Sequence, residues 1–312
     1  MSTDAQAAAT APAAPRRALL SGASGFIGSN LVKKLIADGW EVHVIVRSGS
    51  RLSALEAQRD ALTCHEHDGS ARGMIDLMER VRPYIVFHLA SLFLAQHTSD
   101  DLAALVTSNV LFSTQLVDAM VKTGVRYLIN TGTAWQHYQD APYRPVNLYA
   151  ATKQAFEDIL SYYADAFDLK VTTLALFDTY GRNDPRAKLM ALLWKTALQQ
   201  TPLAMSPGEQ LIDIVHVDDV VGAFVQAVTL LPAQTQAHAR YGVSSGRPMR
   251  LIDLVALFER VTGYRLPIQW GERPYRPREV MVPWTSYATL PGWRAQIALE
   301  DGIRGTQPLN TP

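Results

Sequence analysis

The 312-residue chain carries 29 Lys+Arg against 29 Asp+Glu, so its formal net charge is zero and no whole-molecule basic field draws it to nucleic acid. A single cysteine, Cys64, excludes an intrachain disulfide and a cysteine-built zinc site. With 48% hydrophobic and 19% charged residues, the composition is that of a globular enzyme, and the length is about two domains' worth of chain.

Residues 1–15 are Ala-rich with Pro12 and Pro15 and are expected to form a disordered tail. They lack the basic start and Leu-rich core of a secretory signal, and Arg16-Arg17 runs straight into a strand and a glycine turn rather than an export segment. No apolar run approaches the ~18 residues of a membrane helix, so no membrane contact and a cytoplasmic location are expected.

From Arg17 onward, short apolar runs alternate with helical patterns. Strands are expected at Ala18–Ser21, Glu41–Val46, Leu62–His65, Tyr84–Leu89, Tyr127–Asn130 and Val171–Leu176. Helices are expected near 26–38, 70–81, 101–123 and 148–167, with a weaker one after Gly49. This alternation predicts an α/β fold, a Rossmann-type doubly wound parallel sheet with helices on both faces. Its ligand site lies beyond the carboxyl ends of the strands. After Gly181 the pattern loosens: a helix over Arg186–Gln200, a strand over Leu211–Val215, a helix opened by Asp218-Asp219, a segment Ala237–Val243 and a helix over Leu251–Thr262. The expected division is a dinucleotide-binding domain over 16–180, rejoined by 211–236, with 181–210 and 237–312 forming a smaller substrate domain.

Between the first strand and first helix stands Gly22-Ala23-Ser24-Gly25-Phe26-Ile27-Gly28. Gly22 permits a tight turn, Gly25 lets the backbone approach a pyrophosphate, and Gly28 lets helix and strand pack closely. The helix N-terminus adds amide donors and a positive dipole end. Gly22, Ser24, Gly25, Phe26, Ile27 and Gly28 are therefore candidate dinucleotide contacts. The second strand ends in Val46-Arg47-Ser48. An acid there would take a ribose hydroxyl, whereas the planar fork of Arg47 suits a 2′-phosphate. With Ser48 and Arg51 nearby, NADP(H) is favoured over NAD(H). Asp68, past the third strand, either accepts from an adenine amino group or forms a turn.

Tyr149-Ala-Ala-Thr-Lys153 places a phenol and an ammonium one helical turn apart. A cation near a phenol favours phenolate and draws its pKa down from about 10, which fits an acid/base pair. Asn130-Thr131-Gly132-Thr133 ends the preceding strand, where a threonine hydroxyl is able to bond the oxygen whose proton Tyr149 handles. His88 and Cys64 are read as buried packing residues, Asp218-Asp219 as a helix cap, and Trp270, Trp284 and Trp293 as core, with stacking on a nucleobase as the alternative. The eight histidines show no metal-binding spacing, so no metal is expected.

Together these residues resemble the extended short-chain dehydrogenase/reductase family, and within it the NAD(P)-dependent nucleotide-sugar epimerases, dehydratases and 4-ketoreductases. The resemblance covers nearly all of 17–305. It rests on Gly22–Gly28, Val86–Ala90, Asn109-Val110, Thr133, Tyr149, Lys153, Asp213–Asp219 and Arg276–Glu279, and Asn130–Lys153 looks closest to the CDP- and dTDP-sugar 4-ketoreductases. It implies that Tyr149 is the acid/base, that Lys153 also holds the nicotinamide ribose, and that Thr133 orients the sugar oxygen. It also implies that Leu89, Ala90 and Asn109 complete the cofactor site and that Asp178 and Arg276 meet the nucleotide-diphosphate sugar. A homodimer through the 101–123 and 148–167 helices is implied, with Leu102, Leu105, Phe112, Leu116 and Met120 as a candidate face.

There are departures. Asp178-Thr179-Tyr180-Gly181 stands where many members have Asn-x-Tyr-Gly, and an acid near a diphosphate is unfavourable. Ile212 replaces a frequent arginine; Arg182, Arg186 and Lys188 read as a solvated charged loop, with substitution for that arginine as the alternative. The function expected is NADP(H)-dependent reduction of a nucleotide-linked 4-keto sugar. The first alternative is an NAD-dependent epimerase. A dehydratase is weaker, since Ala134-Trp135 occupy the place of its acid pair. A small-ketone reductase would leave Arg276 and Arg278 without a purpose, and a cofactor-sensing protein would not need Tyr149, Lys153 and Thr133.

Overall fold

The computed structural model describes residues 16–308; the expected tail over 1–15 lies outside the described residues. The chain opens with β1 (Arg17–Ser21), α1 (Phe26–Ala37), β2 (Glu41–Val46), a 3-10 turn over Ser53–Ala61 where the weak helix was expected, and β3 (Leu62–Glu66). Then come α2 (Ala71–Val81), started by the Ser70 hydroxyl accepting from the Gly73 amide, and β4 (Ile85–His88). The expected helix over 101–123 is α3 (Leu102–Val106) and α4 (Phe112–Thr123), joined by a π-turn over Thr107–Leu111. β5 (Tyr127–Thr133), α5 (Leu148–Phe167) and β6 (Lys170–Leu176) follow.

Short elements come next: β7 (Asp178–Tyr180), α6 (Leu189–Gln199), β8 (Leu203–Met205), β9 (Leu211–Ile212), β10 (Ile214–His216), α7 (Val217–Leu230) and β11 (His238–Val243). The chain ends with β12 (Met249–Arg250), α8 (Leu251–Thr262), β13 (Ile268–Trp270) and α9 (Leu299–Gly305).

Seven strands form one parallel sheet in the order β11-β6-β5-β4-β1-β2-β3. The order reverses between β1 and β4, and the carboxyl ends of those strands open a crevice there. Side-chain alternation feeds two cores. Leu20, Phe87 and Ile129 pack on one face with Leu31 and Leu35 of α1 and Phe224 of α7. Leu19, Val86 and Leu128 pack on the other with Leu77, Leu116, Met120 and Phe156 of α2, α4 and α5. Both faces are covered, so the inner strands read as continuous apolar runs. A third core joins α6, α8 and α9 around Leu193, Trp194 and Phe258.

Several expectations change. Ala237–Val243 was assigned to the substrate segment, yet β11 pairs with β6 along its whole length and is the seventh strand of the sheet. The expected strand 211–215 is split at Asp213, whose carboxylate accepts from Ser244 Oγ at 2.6 Å and the Ser245 amide at 2.9 Å. β9 then pairs with β12, and β10 with β7, outside the large sheet. Cys64 is exposed rather than buried, because β3 is the sheet edge. Asp219 does not cap α7: His216 occupies that position, and the Asp219 carboxylate accepts from the amides of Gln296 and Ile297, at 3.0 Å each, tying down the C-terminal segment. The stripe proposed for a dimer is largely internal, with Leu105, Leu116 and Met120 fully buried and only Leu102 exposed. Among the described residues, Ser99–Thr123 is the one helical run long and apolar enough to cross a membrane by length and composition; here it packs against the sheet.

Candidate active site

A cavity of about 860 Å³ opens at the crevice between β1 and β4. One end is backbone. Gly22 has φ +73°, and a Cβ there would lie 2.5 Å from the Ala90 amide nitrogen. A Cβ on Gly28 would lie 2.2 Å from the Gly22 carbonyl oxygen. Both glycines are required by close backbone approach. Gly25 is the N-cap of α1 and supplies no side-chain cap, so the helix presents its first amides to the cavity. Gly22, Gly25, Phe26, Ile27, Gly28 and Leu89 all line this end.

In the middle stand Thr131, Thr133 and Tyr149. Thr131 and Thr133 share one face of β5, as the pleat requires. Thr133 Oγ1 accepts from the Trp135 amide at 3.3 Å, and the Thr133 amide donates to Gln136 Oε1 at 2.9 Å. Tyr149 is placed by the start of α5: Asn147 Oδ1 accepts from the Ala150 amide at 3.0 Å. Asn147 Nδ2 donates to the Leu94 and Ala95 carbonyls. Phe93 meets the Tyr149 ring edge-on at 5.0 Å.

The electrostatics differ from the expected pairing. Burial pushes the Tyr149 phenol up to about 12, opposed by hydrogen bonding with Ser91 and by the charge of Arg186. Lys153 is 2% exposed and lies behind the cavity wall; burial draws its pKa down to about 8, opposed by Glu157. The charge that opposes the rise at Tyr149 is that of Arg186, while the charge acting on buried Lys153 is that of Glu157. His88 has the packing role expected, with Ser21 Oγ at 2.7 Å and Ser113 Oγ at 2.8 Å from its two ring nitrogens. Burial, reinforced by Lys153, holds it well below the usual histidine range.

The far end is built of side chains. Arg276 is paired with Glu279 at 2.9 Å and lies 5.8 Å from the Trp135 ring centre. Lys188 sits 4.3 Å from the Phe93 ring centre and 3.4 Å from Asp178 Oδ1. Arg186 lies over Phe26 at 4.7 Å and is held by Asp184 and the Thr179 carbonyl. The loop that read as solvated therefore contributes Arg186 and Lys188 to the cavity, while Arg182 is exposed. Lys188 also answers the objection to Asp178, since the acid faces a cation. Trp284, read as core, stacks on His137 at 3.8 Å and lines the same end.

Other candidates lie elsewhere. Ser24, Arg47, Ser48 and Arg51 are exposed and outside the cavity wall. Asp68 accepts from the Ser70 amide and hydroxyl, so it is engaged as a turn former. Ala90 supports Gly22 from behind. Asn109, buried on the π-turn, spends its amide on both backbone groups of Leu92 and on Thr152 Oγ1. It fastens the loop after β4 to α5 and does not line the cavity.

The model of the NAD dependent epimerase/dehydratase family matches residues 18–239, most of the chain. The chain belongs to that family. Its relatives include a UDP-glucose 4-epimerase of Mycolicibacterium smegmatis, 30% identical over 93% of this chain and 97% of its own. A CDP-abequose synthase of Salmonella typhimurium is 25% identical over 91% and 95%. The solved UDP-glucose 4-epimerase of Thermotoga maritima superposes with a TM-score of 0.83 at 25% identity, covering 93% and 97%. As an epimerase/dehydratase-family enzyme, the chain has six strands of its sheet, its glycine turn and its Tyr149 helix where the sequence predicted them. Ser91, Phe93 and His137 had no signal in the sequence, since nothing in local spacing brings segments near 91, 137, 186 and 284 together.

Proposed function

We propose that this chain reduces the C4 carbonyl of a nucleoside-diphosphate-linked 4-keto sugar with NADPH. The reading is carried by one observation: Tyr149 and Thr133 line the same cavity as the glycine turn and the bare N-terminus of α1. That turn fits a nicotinamide dinucleotide, because the space at Gly22 and Gly28 is needed by backbone and the α1 amides are free of a side-chain cap. Gly22, Gly25, Phe26, Ile27 and Gly28 would hold the diphosphate, and Arg47 with Ser48 and Arg51, exposed at the end of β2, would face a 2′-phosphate. When bound, the nicotinamide supplies the hydride.

The chain's own residues manage the proton and the sugar. A phenol raised to about 12 carries its proton at neutral pH, which suits Tyr149 as the acid that protonates the C4 oxygen and turns it into a hydroxyl. Thr133 orients the same oxygen, and the Lys153 ammonium behind the wall offsets negative charge developing there. Arg276 and Lys188 meet the diphosphate, with Trp135, Phe93 and Trp284 forming an aromatic wall.

The second reading, an NAD-dependent nucleotide-sugar 4-epimerase, is favoured by the 30% identity to a UDP-glucose 4-epimerase. One experiment separates the two. CDP- and dTDP-4-keto-6-deoxy sugars with NADPH, and UDP-glucose with NAD⁺, are offered to the purified chain. Stoichiometric NADPH oxidation supports the reductase; isomerised sugar without net cofactor turnover replaces it by the epimerase. Arg47→Ala is expected to weaken NADPH about tenfold and leave NADH unchanged; equal effects on both would remove the NADP(H) assignment.

A further inference from the structure

Below the cavity floor a polar network runs from β5 to the sheet edge, and the reaction described above leaves it unused. Its centre is Glu157, one helical turn beyond Lys153 on α5 and only 2% exposed. A carboxylate held out of water persists only where partners satisfy it. Glu157 Oε1 accepts from Gln136 Nε2 at 3.0 Å, and Oε2 accepts from Arg240 Nε at 3.0 Å, reaching across from β11. Gln136 is equally buried; its Oε1 accepts from the Thr133 amide at 2.9 Å, and its Nε2 also donates to Gln154 Oε1 at 2.8 Å. Gly132 leaves room for this approach, since a Cβ there would lie 2.9 Å from Glu157 Oε1. One carboxylate therefore links the helix of Tyr149 and Lys153 to the strand of Thr133.

We propose that Glu157 is a positioning residue for this site: one helical turn from Lys153, it fixes the backbone of Thr133 through Gln136 and ties α5 to β11 through Arg240. The proposal rests on the roles assigned above to Tyr149, Lys153 and Thr133. The groups around the pair are few. His88 of β4 feels the charge of Lys153, and burial holds it well below the usual histidine range. Arg240 of β11 pairs with Glu157, while His238 beside it is pushed down to about 3 by burial. His137, after β5, feels the charge of Glu157 from the other side. Among these, Glu157 is the negative group acting on Lys153.

The test uses the full-length chain and two variants. Glu157→Gln keeps the shape of the side chain and removes its charge; Gln136→Ala cuts the tether and keeps the charge. The Lys153 titration is followed by carbon-13 NMR of labelled lysine in the cofactor-free protein, assigned with Lys153→Arg. In Glu157→Gln the Lys153 midpoint is expected to fall by about one unit, and the alkaline limb of the turnover profile to move with it. Glu157→Asp restores the midpoint. In Gln136→Ala the midpoint stays, while kcat drops about tenfold and KM stays within twofold. If folded Glu157→Gln and Gln136→Ala lose only thermal stability, with midpoint and kcat unmoved, Glu157 is a structural partner of Arg240 and the proposal falls. Tyr149→Phe in the same turnover assay separates the two levels: full activity there removes the assigned chemistry, whereas the Lys153 midpoint tests Glu157 without substrate or cofactor.

Discussion

The two ends of the cavity are made of different material. At the β1–α1 end the wall is main chain: three glycines, a helix terminus and a parallel register that brings Gly22 against Leu89 and Ala90. At the other end the wall is side chains from four separate segments, with Lys188 over Phe93, Arg276 beside Trp135 and Trp284 on His137. A backbone wall tolerates almost no substitution, because main-chain atoms cannot move aside without shifting the strand or helix that carries them. A side-chain wall exchanges members at modest cost and is where relatives on one fold change their substrates.

The sharpest way to break this contrast lies where the ends meet. Tyr149→Phe is expected to reduce turnover about 10³-fold while nucleotide binding, read by fluorescence quenching, stays within twofold; comparable loss of binding would place Tyr149 in the structure of the cofactor end. Next, Gly28→Ala forces a methyl to within 2.2 Å of the Gly22 carbonyl oxygen. It should cost about 3 kcal/mol of stability, seen in denaturant melts, and weaken cofactor binding; a neutral substitution would show that the turn is free to relax.

Lys153 supplies a pH test of the same magnitude. Its pKa is about 8 folded against 10.5 for the free side chain, so between those values the unfolded chain binds the extra proton. The Lys153 contribution to stability is therefore fully present above about 10.5, and is lost as the pH falls toward 8, on the order of 3 kcal/mol in all. Urea midpoints for the native chain should show this term against Lys153→Met, which removes it; parallel curves would mean that Lys153 is solvated. The smallest effect belongs to the substrate end. Lys188→Met is expected to raise the nucleotide-sugar KM about fivefold with kcat nearly constant, and a larger fall in kcat would draw Lys188 toward the reacting atoms.

How much was legible follows the same division. β2 and α5 have the bounds their sequences predicted, because an apolar run over Glu41–Val46 and a helical period from Leu148 to Phe167 are local signals. The glycine turn was legible for the same reason. Asn109 was assigned to the cofactor, yet the π-turn that carries it redirects its amide to Leu92 and Thr152. Lys153, expected one turn from Tyr149, is buried, and the charge opposing the rise of the phenol comes from Arg186, thirty-seven positions on in the chain, which local spacing does not reveal.

The order of strands and helices, the glycine-built turn and the helix that bears Tyr149 were written in the sequence, since each depends on residues within a few positions of one another. The seventh strand, the burial of Lys153 and Glu157, and the aromatic and cationic end of the cavity were decided by tertiary structure alone. These depend on which distant segments share a wall, and burial sets protonation through surroundings that local spacing does not encode.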